Sequence, residues 1–284
     1  MEVVSVHVDV ISRAKGRSAV QMAAYCARAR YRNEYTGTLY DYTARNDLVY
    51  HEVLLPEHAP EAFHDSETLW NAVEVVERNR NSRLARTVIL ALPKEFDHET
   101  QIMTVRAYVR YSFVQRGMCA DVSIHDKGDG NPHAHALLTT RSLDSNGQWM
   151  SKQRRNYLLD AQGDRIFDPV SGRYKLGKSI KTNDWDAPER VEEWREGWAA
   201  VCNELFRRMG MQKRVTHLSY ERQGISREPT IHLGAKAQSL DNRGIRTDRG
   251  DKNRAIKNRN RQQERQRLRQ RIELAREREW GRDR

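Results

Sequence analysis

The chain has 284 residues, with 50 Lys/Arg against 39 Asp/Glu for a formal net charge of +11, and 38% apolar residues. That is enough for one large domain, or a domain with an extension, while the lack of any 18-residue apolar run excludes a membrane-spanning helix. Three widely spaced cysteines, Cys26, Cys119 and Cys202, form no CxxC, exclude a zinc cage or disulfide framework, and suit a reducing cytoplasm.

Residues 3–11, VVSVHVDVI, alternate and read as a first strand rather than a signal peptide. In SRAKGRSAVQMAAYCARARY, Gly16 breaks the chain and Ser18 can cap an Ala-rich helix running to Tyr31. Residues 33–47 are polar and turn-rich. VYHEVLLP (49–56) is a second strand stopped by Pro56, and residues 59–82 carry helical spacing around Trp70, Val73 and Val76. RTVILALP (86–93) is an apolar strand ended by Pro93, and residues 97–117 read as a helix. MCADVSIH is a strand ending at His125, residues 126–132 are a hairpin loop, and HAHALLTT begins the return strand at His133. Residues 142–184 are loop-rich and basic. VEEWREGWAAVCNELFRRMG is an amphipathic helix with Trp194, Trp198, Val201, Leu205 and Met209 on one face and Gly210 at its end. Residues 253–279 read as a charged helix almost without an apolar face. The order predicts an α+β domain with a mostly antiparallel sheet carrying helices. Composition shifts near 240, which divides the chain into a domain over 1–242 and a basic helical extension over 243–284.

The histidine hairpin carries the clearest chemistry. On a strand, His133 and His135 share a face about 6.6 Å apart, while Ala134, Ala136 and Leu138 face a helix. The hairpin returns His125 to the pair. Three imidazoles meeting there hold a divalent ion with positions open for substrate. Such an ion is a Lewis acid for phosphoryl or carbonyl oxygen. Residues 243–284 hold 16 Lys/Arg against seven Asp/Glu, so +9 of the net charge lies in the tail and only +2 before it. This points to a polyanion, above all nucleic acid, and so to a phosphodiester. Either metal-bound water or a side chain would attack it. Tyr25 is the best nucleophile candidate, with Ala23 and Ala24 leaving room around it and Tyr31 and Tyr35 competing. A tyrosine in such a helix is more often a packing residue. Candidate phosphate contacts are Arg13, Lys15 and Arg17 beside the first helix, and Lys152, Arg154, Arg155, Lys178 and Lys181 in the basic loop.

ISRAKGRSAVQMAAY, YDYTARNDLVYHEVLLP, GNPHAHALLTTR, WREGWAAVCNEL and YERQGISREPTIHLG resemble, in order and over residues 3–250, the MobA/MobL class of plasmid mobilisation relaxases within the HUH endonucleases. The resemblance implies the HUH relaxase fold, a central five-stranded, mostly antiparallel sheet flanked by helices. It also implies a bacterial cytoplasmic enzyme that nicks and rejoins one strand of single-stranded transfer-origin DNA, with accessory relaxosome proteins and a coupling protein as partners. Tyr25 matches the nucleophile that keeps the 5′ end as a phosphotyrosine, and His125, His133 and His135 match the ligands of the divalent metal, Mn²⁺ or Mg²⁺, with other transition metals possible in vitro. One residue departs from the pattern. The family often has an acidic residue in an A-R-E run, where this chain reads Ala85-Arg86-Thr87. Asp126, Asp129 and Glu52 are the candidate substitutes. Thr87 motivates an alternative, a module that recognises the origin but nicks weakly or not at all. A rolling-circle replication initiator is disfavoured because Tyr25 precedes the histidines. The basic end, with no further domain, suggests a relaxase region cut from a longer protein.

Overall fold

A computed structural model describes residues 1–231 and 233–280. Five strands build the sheet: β1 Val6–Ser12, β2 Leu48–Leu54, β3 Arg83–Ala91, β4 Ala120–His125 and β5 His133–Thr139. They lie in the order β1-β3-β5-β4-β2, and every neighbouring pair is antiparallel. The expected fold class is therefore what the chain adopts. Strand β3 starts three residues before the apolar run read as a strand, because Arg83 and Ala85 still find ladder partners in β1.

Two helices cover one face, α3 His98–Ser112 and α4 Pro188–Arg208. Ala134, Ala136 and Leu138 of β5 pack into this layer, as their alternation with the histidines requires. The buried side of α4 is Trp194, Trp198, Cys202 and Phe206, an i+4 row. Val201 and Leu205 are only partly buried and Met209 is exposed, so the face rotates away from the stripe expected over 194–209. The Trp198 indole donates to the Ala91 carbonyl (3.1 Å), which ties α4 to β3, and the Tyr108 hydroxyl donates to the Trp194 carbonyl (2.6 Å), which ties α3 to α4.

Helices α1 Ala19–Ala27 and α2 Ser66–Val76 cover the other face. Ala19 and Ala23 are fully buried there against Ile11, Ala85 and Leu137. Side chains that small let α1 lie close on the sheet. The helix stops four residues short of Tyr31. Arg28 adopts a left-handed conformation (φ 53°), and Arg30–Arg32, at the end of the stretch read as helix, then pairs as a hairpin with Leu39–Asp41 inside the segment read as turns. The N-terminus of α1 is held by Ser18, whose Oγ accepts from the Gln21 amide (3.1 Å), and by Glu74 of α2. Glu74 is buried and accepts from the Ala19 amide (2.8 Å), the Ser18 hydroxyl (2.8 Å) and Arg13 (2.7 Å). Removing one partner from such a buried pair costs about 3–5 kcal/mol. The orientation of α1 on the sheet therefore depends strongly on one carboxylate.

Residues 142–184, read as loop, fold into small ladders: Gln153–Arg154 with Ile180–Lys181, and Phe167–Asp168 with Arg173–Tyr174. The chain divides into two compact units, Met1–His217 and Leu218–Arg284. The division precedes the composition shift near 240. The chain stays tied to the first unit through Val215–Thr216, a parallel partner of Glu2–Val3, and charge composition carries no sign of that pairing. The second unit contains α5 Ala235–Asn242 and α6 Asp248–Trp280. Polar links join its segments: Arg259 pairs with Glu228 (2.8 Å), and Asn253 and Asn260 accept from the Ile231 and Glu228 amides. Residues 281–284 of the expected basic extension lie outside the described residues. No described helix is long and apolar enough to cross a membrane.

Candidate metal and nucleophile site

The hairpin register aligns His125 with His133 and Ser123 with His135, so all three histidines share one sheet face. Gly128 and Gly130 turn the loop at φ 71° and 79°, a region that favours glycine. Ring centroids are 4.8 Å (His125–His135), 5.1 Å (His133–His135) and 5.6 Å (His125–His133) apart. One nitrogen from each ring lies within 4.8 Å of the others. Nitrogens sharing one ion at ~2.1 Å lie at most ~4.2 Å apart, so a modest contraction completes a site.

The hydrogen bonds decide which nitrogens can serve. His133 Nδ1 faces the Asn131 carbonyl (2.9 Å), which only accepts, so Nδ1 carries the proton and Nε2 the lone pair. His135 is nearly buried, and its Nε2 has no hydrogen-bond partner among the described residues. An orphaned buried nitrogen is costly unless something binds it. The donor set therefore fits a divalent ion. Burial holds the His125 pKa down at about 4, with the nearby Arg28 charge adding to the fall and the Cys26 carbonyl opposing it. Burial, then the neighbouring His125 and His133, brings His135 to about 3. Both rings are neutral and able to ligate at neutral pH.

These shifts predict a pH-dependent stability. In the unfolded chain a histidine takes its proton near 6.5, whereas these two refuse it when folded. Stability contributed by their neutrality is complete above pH 6.5 and falls as pH drops towards about 4. At pH 5 the loss is about 2 kcal/mol for each ring. Urea unfolding of metal-free protein at pH 7 and pH 5 measures it. A flat stability over that range contradicts the buried, neutral histidines.

Tyr25 sits in the last turn of α1. Its ring meets His135 and His125 edge-on, with centroids 6.1 and 6.3 Å away. The Arg28 and Arg45 guanidinium carbons lie 4.4 and 5.0 Å from its centroid. Arg17, Ser18, Gln21, Met22, Tyr25 and Tyr42 line a shallow pocket of about 260 Å³. Among the three tyrosines considered, only Tyr25 has a ring contact with the histidines. Tyr31 is partly buried with a pKa pushed up to about 12 by that burial, and Tyr35 is exposed beneath Arg13.

The β1–β3 register sets Asp9 directly across from Thr87, on the face of the histidines. Asp9 pairs with Arg17 (2.5 Å), whose hydrogen bond holds its carboxyl below the ordinary range. Of the substitutes expected from sequence, Glu52 lies on the opposite face and is held by Arg106 (2.7 Å). Asp126 binds His98 (3.1 Å), and Asp129 caps the loop through the Asn131 amide. A second carboxylate, Asp47, is buried in a bidentate pair with Arg28 beside His125. Asp9 was missed from sequence: alternation in VVSVHVDVI could have put it on one face with Ile11, but no local signal named its neighbouring strand. Arg28 and Asp47 carried no signal at all.

The basic candidates separate into three groups. Arg13 is turned inward to Glu74, and Lys152 pairs with buried Glu77 (2.7 Å). Arg17 borders the Tyr25 pocket. Lys15, Arg154, Arg155, Lys178 and Lys181 are exposed. Lys152 and Lys181 also border a cavity of about 490 Å³ with Arg83, Arg86 and Arg141. That cavity adjoins the Thr139 end of β5, about 20 Å along the strand from His133.

Residues 17–243 match the model of the MobA/MobL family. The chain is 36% identical over 274 residues to the "Probable mobilization protein MobA" of Bifidobacterium longum, covering 92% of this chain and 48% of that protein. It is 33% identical over 256 residues to "Conjugal transfer protein TraA" of Agrobacterium fabrum, covering 84% of this chain and 22% of that one. The chain thus spans about half of the first relative's length and about a fifth of the second's. A solved structure from "Molecular Basis of Vancomycin Resistance Transfer in Staphylococcus aureus" superposes with a TM-score of 0.65 at 31% identity, covering 77% of this chain and all of that one.

Proposed function

The chain belongs to the MobA/MobL family, and from that premise we propose that it nicks and rejoins one strand of plasmid DNA at a transfer origin. The observation that carries this reading is the Tyr25 ring lying edge-on to the three-histidine cluster. Tyr25 Oη attacks the scissile phosphorus, the P–O3′ bond breaks, and the 3′ oxygen leaves and takes a proton. The 5′ phosphate stays on Tyr25 as a diester, so the free 3′ hydroxyl can attack it and restore the strand. His125, His133 and His135 hold a divalent ion, which when bound polarises the phosphate and offsets its growing charge. Arg17 and Arg45 add fixed positive charge on the approach to Tyr25. Thr87 offers no carboxylate to receive the phenol proton, and Asp9 is the acid that faces it on this side of the sheet.

Thr87 also favours a second reading, an origin-recognising module that cuts poorly. One assay separates them. The protein is incubated with an origin oligonucleotide and Mn²⁺, and a denaturing gel is read for a covalent adduct. An adduct supports the nicking enzyme, and tight binding without one supports the module.

The tail contributes affinity rather than recognition in this reading. Residues 243–284 carry +9, and the helix among them, Asp248–Trp280, has almost no apolar periodicity. Phosphate contacts by such residues make affinity fall steeply with salt. A chain ending at Asn242 is expected to bind origin DNA more weakly with a shallower salt dependence, and still to prefer it over a scrambled sequence. Equal affinity and equal salt slope for the two chains reject the electrostatic role.

A further inference from the structure

Arg28 is the only non-glycine residue with a positive φ among the described residues. Such a backbone is strained for an arginine, and it persists only where the surroundings fix it. The conformation turns the side chain back under α1, where it is almost fully buried. Its Nε and Nη2 donate to the two Asp47 oxygens at 2.8 and 3.0 Å. A third contact runs from Nη2 to His125 Nδ1 at 3.1 Å. A guanidinium has no acceptor, so Nδ1 must supply the lone pair. On the other side of the ring, His125 Nε2 is 2.7 Å from the Cys26 carbonyl, which only accepts, so Nε2 must carry the proton.

The two bonds fix one tautomer and use up the ring. A neutral imidazole has a single lone pair, and here Arg28 holds it. An ion binding at Nδ1 takes that lone pair directly. An ion binding at Nε2 forces the proton onto Nδ1, where it would point at the Arg28 N–H. Neither arrangement keeps the Arg28–His125 hydrogen bond. His133 and His135 have no such competitor: the one is already oriented by Asn131 and the other's Nε2 is orphaned.

We propose that Arg28, clamped by Asp47, is a positioning residue that occupies the ligating lone pair of His125, so that a divalent ion and the Arg28–His125 hydrogen bond exclude one another. This rests on the reading of the three histidines as metal ligands. Arg28 therefore sets the affinity of the site. The hydrogen bond from a charged donor is among the stronger kind, and its loss is subtracted from metal binding.

The test is calorimetric titration of the full chain with Mn²⁺. Arg28→Met is expected to tighten binding on the order of tenfold. Because that change leaves Asp47 as an unpaired charge that would itself attract a cation, the double variant Arg28→Met, Asp47→Asn is measured beside it. It removes both charges and is expected to tighten binding too. Equal or weaker affinity in folded variants overturns the proposal while leaving the three-histidine site in place. No binding by wild type or variants removes the site and the proposal together. If the variants do not fold, a crystal structure of wild-type protein soaked in Mn²⁺ decides. Arg28 Nη2 still within about 3.5 Å of His125 Nδ1, hydrogen-bonding distance, overturns the proposal, and separation of the two supports it.

Discussion

Tyr25→Phe is expected to abolish the covalent protein–DNA adduct while leaving DNA affinity nearly unchanged. The substitution removes one oxygen and keeps the ring that packs against Tyr42, His125 and His135. The helix and its cap stay as they are, since Glu74, Ser18 and the buried alanines are untouched. A neutral hydrogen bond is worth ~0.5–1.5 kcal/mol, so affinity should change by no more than about tenfold. The adduct should fall below detection, because phenylalanine cannot form the ester. A denaturing gel of labelled origin oligonucleotide reads the adduct, and fluorescence anisotropy reads binding. Loss of the adduct in Tyr31→Phe or Tyr35→Phe, with Tyr25→Phe still active, would show that the nucleophile lies elsewhere.

The second large effect is expected from His135→Ala. Its Nε2 is buried and unpartnered, so an ion gives this nitrogen its missing partner. Disturbing even the groups that orient a ligand costs 10- to 100-fold in metal affinity, and removing the ligand itself should cost about 100-fold or more. Wild-type protein at 100 times its dissociation constant in Mn²⁺ should gain about 2.7 kcal/mol of stability, seen as a raised Tm. The variant should show no such rise, together with loss of cleavage. Its metal-free Tm should stay close to that of the wild type, because the substitution also removes an unsatisfied buried polar atom. Imidazole ligands favour later transition metals, so Co²⁺ and Ni²⁺ should bind the wild type more tightly than Mn²⁺, and Mg²⁺ least tightly. A wild-type protein whose Tm ignores all these ions would argue against the site.

Periodicity in the sequence is sufficient for the strand that carries His133 and His135, since a period of two leaves only one arrangement of the pair. A turn rich in Gly, Asp and Asn then brings His125 back, and the observed register does so. The Ala-rich segment likewise determines a helix, and the motif order determines the family. Each of these signals is local, or is a run of local signals in order. What only the tertiary structure decided depends on which elements become neighbours. Tyr25 led Tyr31 and Tyr35 as the candidate from sequence, but only the packing of α1 on the β4–β5 side of the sheet puts one ring, that of Tyr25, against the histidines. Asp9 met Thr87 because β1 pairs with β3, a contact across 78 residues of chain that no window of sequence contains. Arg13 and Lys152 read as free cations, yet the buried carboxylates of Glu74 and Glu77 at the end of α2 draw them inward, since a buried charge is costly until it is paired. Arg28 carried no signal in the sequence. Its left-handed backbone and its place between Asp47 and His125 exist only once α1, the start of β2 and the end of β4 are packed together.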